Sequence, residues 1–233
     1  MPTLRPEKSS GTTLIELIVA MAMLSLLTAL LFGAFEMGTR VFRDTTVRQT
    51  SENQLRSIKL LLERDANHTN FWYCNKNALP RSVGGKNRDA LAMSTLDDWE
   101  SPANYDSLTL RPVWNRYIVW YADQSSPTGT LYRQLVDPPL PSPPDPPGFI
   151  TPYGALGANI NEDPAANEDV IYTRSMSEDV IDFTVNLRFE NGTIETILQL
   201  RAEGIQRPGT QDRTEENLQV RFTFQPKNTW PRI

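Results

Sequence analysis

Residues 17–35 form a run of 19 positions without a charge. At about 1.5 Å of rise per residue, that nears the roughly 20 residues a helix needs to cross a hydrocarbon core of about 30 Å. The pattern therefore predicts a membrane-spanning helix. Beyond Gly38 it becomes amphipathic: Val41, Phe42, Leu55, Ile58, Leu61 and Leu62 fall at helical spacings, with Arg48, Glu52, Arg56, Lys59 and Glu63 between them. One helix is expected from Thr12 to about Asp65, about 80 Å at the standard rise. Gly33 and Gly38, each about 1 kcal/mol less favourable than Ala in a helix interior, mark a bend or melting point. Residues 44–54 are polar nearly all round.

Farther on the period changes. Residues 67–112 read as irregular, broken by Pro80, Gly84-Gly85 and Pro102. Residues 117–121 are β-branched and aromatic, residues 130–136 read as their hairpin partner, and residues 125–129 have turn composition. Ile181, Phe183, Val185, Leu187 and Phe189 alternate with Asp182, Thr184, Asn186, Arg188 and Glu190. Asn191-Gly192 then predicts a type I′ turn into a strand over 194–202. Leu218, Val220, Phe222 and Phe224 mark a last strand. The expected fold is α+β: a long N-terminal transmembrane and amphipathic helix packed on antiparallel strands in one or two sheets.

Composition narrows the function. The net charge is −5, with no basic cluster, which argues against nucleic acid as a direct partner. A single cysteine excludes an internal disulfide framework, and a single histidine excludes a histidine-rich metal site. Cys74, within Phe71-Trp72-Tyr73-Cys74, reads as a buried thiol, the alternative being a bridge between molecules. There is no Gly-x-Ser-x-Gly elbow, no His-Glu-x-x-His and no phosphate-cradling loop, so the expectation is a protein that is not an enzyme. The enzyme alternative is a membrane-anchored envelope hydrolase working through carboxylates, with a deep acidic pocket as its signature.

The run is edged by one acid. Gly11, Thr12-Thr13 and Leu14-Ile15-Glu16-Leu17, followed by an Ala/Leu/Met-rich helix, resemble the N-terminus of type IV prepilins and pseudopilins. The resemblance implies a leader over 1–11 cut after Gly11 by prepilin peptidase, N-methylation of the new N-terminus at Thr12, and an assembly role for Glu16. Thr12 stands where that family most often has Phe. Loss of Arg5, Glu7 and Lys8 with the leader would bring the net charge to −6. The division it implies is a transmembrane and assembly helix over 12–35, its amphipathic continuation over 36–66, and a periplasmic β-rich domain over 67–233.

The order of elements, with residues 117–136 and 180–189, is similar to the J-type minor pseudopilins of type II secretion systems and to related minor pilins. Their pilin-like role implies an inner-membrane protein with a periplasmic domain, assembled at or near a pseudopilus tip for protein export. The implied partners are other minor and major pseudopilins, prepilin peptidase and secreted substrate proteins. The alternative within the class is a minor pilin priming a type IV pilus for adhesion, motility or DNA uptake. Two rival readings of the N-terminus are a plain signal anchor and a secretory signal peptide cut near Ala20-Met21-Ala22.

Two loops complete the reading. The Pro-rich loop over 137–152 predicts a stiff polyproline II segment, acting as a spacer or a docking ligand. Asn161, Asp163, Glu168 and Asp169 carry the oxygen ligands calcium prefers, but lack the glycine and spacing of an EF-hand loop. A solvated acidic loop without a cofactor is the expectation there.

Overall fold

The computed structural model describes residues 13–76, 80–137, 164–166, 170–203 and 215–229. The chain divides into two compact units, Met1–Thr46 and Val47–Ile233. Helix α1, Leu14–His68, contributes to both.

In the first unit the helix passes through Gly33 and Gly38 without interruption. Neither glycine breaks it. Its few hydroxyls are turned inward on the helix itself: Ser25 Oγ donates to the Met21 carbonyl and Thr28 Oγ1 to that of Leu24, both at 2.8 Å. Thr45 and Thr46 do the same to Val41 and Phe42. A hydroxyl satisfied four residues back no longer demands water, which keeps the run compatible with hydrocarbon.

In the second unit, Leu55, Ile58, Leu62 and Ala66 recur every three or four positions and are buried. That stripe packs into a core with a seven-stranded antiparallel sheet. Its strands are β1 (Asn75–Lys76), β4 (Ala90–Thr95), β5 (Arg116–Ala122), β6 (Gly129–Val136), β7 (Val170–Arg188), β8 (Thr193–Glu203) and β9 (Glu215–Phe224), side by side in that order. A small second sheet pairs β2 (Ser82–Val83) with β3 (Lys86–Asn87). The α+β class, a long helix on antiparallel strands, is thus the observed fold.

The sheet works as two halves joined by β7. Its first half, to Val180, pairs with β6, and from Val180 onward it pairs with β8. Where β6 leaves off, Arg88 and Asp89 cap the free edge: Asp89 N–H donates to the Phe183 carbonyl, and the Asp89 carboxylate accepts Val185 N–H at 2.8 Å. Lys76 lies 2.8 Å from the same carboxylate.

Several local expectations need correction. Residues 67–112 are not irregular throughout, because β4 forms a central strand there, buried at all six positions. One face, Leu91 and Met93, joins the helix core, while Ala90 and Ala92 join a second cluster with Tyr117, Val119, Tyr121 and Val136. A strand buried on both faces shows no alternation. The alternation from Ile181 also fails at its start. Val180 pairs with Leu200 and Asp182 with Gln199, so Ile181 is an extra residue, and Val180, Phe183 and Val185 are the buried set. Finally, Arg188 pairs with Thr193, so the β7–β8 connection is the four residues 189–192 with only Gly192 at positive φ (63°). A type I′ turn needs positive φ at both central residues. The register therefore replaces it with a longer loop.

Candidate functional site

The apolar helix begins on a reciprocal pair. Thr13 N–H donates to Glu16 Oε2 at 2.8 Å, and Glu16 N–H donates to Thr13 Oγ1 at 3.4 Å. This is the capping box expected of Thr-x-x-Glu, two otherwise orphaned N–H groups satisfied by two side chains. The Thr13 N–H is an amide whether or not residues before Thr12 are removed. Glu16 uses one carboxylate oxygen in this cap, and its second oxygen has no partner among the described residues. Gly11 and Thr12, where cleavage and methylation are expected, lie outside the described residues.

From Leu14 to Phe35 every large apolar side chain keeps between 50% and 79% of its surface exposed. Met37, Val41 and Phe42 extend the exposed surface. Monomeric soluble proteins rarely leave more than a few hundred Å² of contiguous apolar surface uncovered. The helix is long and apolar enough to cross a membrane, and nothing in its most apolar stretch is buried.

The second unit fastens its part of the helix with a buried ion pair. Asp65 lies on the same stripe as Leu55, Ile58 and Leu62, where an apolar residue would be expected, and only 3% of it is exposed. Arg133 on β6 reaches it with both ends of its fork, Nε to Oδ2 at 2.7 Å and Nη2 to Oδ1 at 3.0 Å. Trp120 Nε1 on β5 donates to Oδ2 at 3.0 Å. On the far side of the guanidinium, Nη1 donates to the Tyr172 hydroxyl, and the Tyr172 ring lies 5.7 Å away. Burial alone would make the Arg133 cation less stable, but Asp65 and Tyr172 more than offset it, and its pKa is raised. A bidentate arginine with a further hydrogen bond on its far side is the arrangement in which a buried pair is tolerated.

Sequence reasoning took Asp65 only as the helix end and Arg133 only as a strand residue. The available signal was an acid standing on an apolar stripe, but nothing in the sequence names a partner 68 residues away.

Cys74 is buried, as expected, with its Sγ 3.4 Å from the Asn70 carbonyl and 3.7 Å from Thr69 Oγ1. Burial pushes the thiol up to about 12, against a smaller opposing effect of Thr69. Asn161, Asp163, Glu168 and Asp169 lie outside the described residues, as does the Pro-rich loop beyond Asp137. Among the described residues, no group of three or more His, Cys, Asp or Glu side chains could hold a metal. One cleft of about 430 Å³ is lined by Leu60, Glu63, Arg64, Asn67, His68 and Lys227, with Glu63 as its single carboxylate. Known protein families, curated proteins and solved structures give no match to this chain.

Proposed function

We propose that this chain is a structural subunit of the pseudopilin kind, a J-like minor pseudopilin of a type II secretion system. In this reading it is held in the bacterial inner membrane by residues 12–35, with its β-rich domain in the periplasm. Its work is mechanical rather than catalytic: it joins other pseudopilins at or near the tip of a short filament that supports protein export.

The observation that carries the reading is an uncovered apolar helix with a single acid at its leading edge. The capping box alone does not call for a carboxylate, since Gln would serve it as well. Cutting after Gly11 would create an ammonium at Thr12, and a lone charge in the membrane costs about 2.5 kcal/mol or more. If neighbouring helices stack with a short axial offset, Glu16 of one meets the Thr12 ammonium of the next. At about 4 Å and an effective dielectric of about 20, their attraction is roughly 4 kcal/mol before desolvation. The pair then sets the register of the bundle, and the exposed side chains of residues 17–35 exchange lipid for neighbouring helices.

Mass spectrometry of the N-terminus, in cells with and without prepilin peptidase, tests this. The expected result is a mature start at Thr12 that requires the peptidase. An intact Met1 in peptidase-positive cells, or a start after Ala22, would overturn the assignment.

A further inference from the structure

Residues 97–115 leave the sheet between β4 and β5 and end in a tight loop, 106–111, whose apolar side chains face solvent. Leu108 is 93% exposed and Leu110 is 76% exposed. Leu110 also holds φ at 54°, the one positive value among the described residues that are not glycine. A bulky side chain rarely accepts that conformation, and it persists only where the surroundings impose it.

Here they do. Asp106 Oδ1 accepts the N–H groups of Leu108 and Thr109, both at 2.8 Å, and the Asp106 carbonyl accepts that of Leu110 at 2.8 Å. Asp106 N–H closes the loop onto the Arg111 carbonyl at 2.9 Å. The base is braced as firmly: Asn115 Nδ2 donates to Asp97 Oδ1 at 2.8 Å, and Tyr105 Oη donates to the Trp99 carbonyl at 2.8 Å. Trp114 is buried beside Trp99, ring centroids 5.9 Å apart.

A glycine would take this backbone without strain, and the leucines pack on almost nothing in their own molecule. The geometry points to residues 106–111 as a docking tip that inserts Leu108 and Leu110 into an apolar pocket with a basic rim on another protein. Leu108 and Leu110 alternate along the loop with Ser107, Thr109 and Arg111, an apolar pair with polar neighbours. The braced backbone means little ordering is left to be done on binding.

Charge selects the occupant. Residues 97–115 carry four carboxylates, Asp97, Asp98, Glu100 and Asp106, against one arginine, a local net charge of −3. Such a surface is repelled by anionic lipid headgroups and attracted to a partner whose pocket is edged by Lys and Arg. A second copy, itself at −5, is disfavoured on the same ground. The inference goes beyond the proposed function, and N-terminal processing does not bear on it.

The test places a photo-crosslinking amino acid, benzoylphenylalanine, at position 108 of the full chain in its own cells. The expected result is one dominant protein adduct, mapped by mass spectrometry to an apolar pocket flanked by basic residues. Adding Leu110→Gly should cut adduct yield at least tenfold, while the thermal midpoint of the Leu110→Gly chain stays equal or rises. Four results would overturn the proposal: adducts to lipid alone, adducts to a second copy alone, no dominant adduct, or a lowered thermal midpoint in Leu110→Gly with adduct yield unchanged.

Discussion

Asp65 is the residue on which the second unit is most exposed to damage. Truncating it to Ala would leave Arg133 buried with its fork unpaired and Trp120 without an acceptor. Breaking one side of a buried pair typically costs about 3 to 5 kcal/mol, whereas replacing both sides by apolar groups of similar size is often neutral. Asp65→Ala is therefore expected to lower stability by roughly that amount in guanidinium unfolding of the detergent-solubilised chain, and Asp65→Leu with Arg133→Met to recover most of it. A double variant as unstable as the single one would mean that the helix loses more than this contact. Cys74 was legible from its aromatic surroundings because burial of a thiol is a matter of composition. Asp65 was not, because its meaning depends on a strand that the sequence cannot bring to it.

Among elements, strands rich in β-branched and aromatic residues were legible even when buried on both faces, as β5 is, and the one without them was not. β5, β6, β8 and β9 were read close to their observed bounds, while β4, with its short Ala-Leu-Ala-Met run, was read as loop. The turn after β7 misled because Asn-Gly is a strong local signal that the pairing of Arg188 with Thr193 overrides. The apolar helix was legible from its lack of charge, but its capping box shows that Glu16 has a local duty as well as the proposed intermolecular one. The two separate cleanly, since Gln preserves a capping box and Ala does not. Glu16→Gln is expected to insert in the membrane with wild-type helix content yet copurify poorly with partner pseudopilins, and Glu16→Ala to do no better. Wild-type copurification by the Gln variant would reduce the acid to a cap.

For the molecule as a whole, the perturbed groups define a pH window. Asp97 is held below the ordinary carboxylate range chiefly by the Asn115 amide, Asp106 by the N–H groups of Thr109 and Leu108, and Glu195 by Arg188 with help from Arg221. A depressed carboxylate stabilises the fold above its unfolded pKa of about 4 to 4.5, and that contribution is lost as pH falls below it. The Cys74 thiol has the opposite sense. Raised to about 12, it costs nothing below the ordinary thiol range near 8.5, and stability is lost as pH climbs above that. The guanidinium midpoint is expected to be flat between about pH 5 and 8 and to fall on either side. A midpoint still rising as pH drops through about 4 would contradict these assignments.

The irregular course of β7 carries a last implication, for how the gene tolerates change. The strand gains a residue on its neighbours at four places, three against β6 and one, Ile181, against β8. Side chains on a strand alternate strictly, so each gain exchanges inside for outside from there on. Excising the codon for Ile181 would leave Val180, Asp182 and Phe183 opposite Leu200, Gln199 and Leu198 one for one, with the buried set still on one face, whereas excising that for Thr184 would force Phe183 or Val185 from the interior to water. Substitutions along this strand are local events, whereas changes in its length away from the bulges are not.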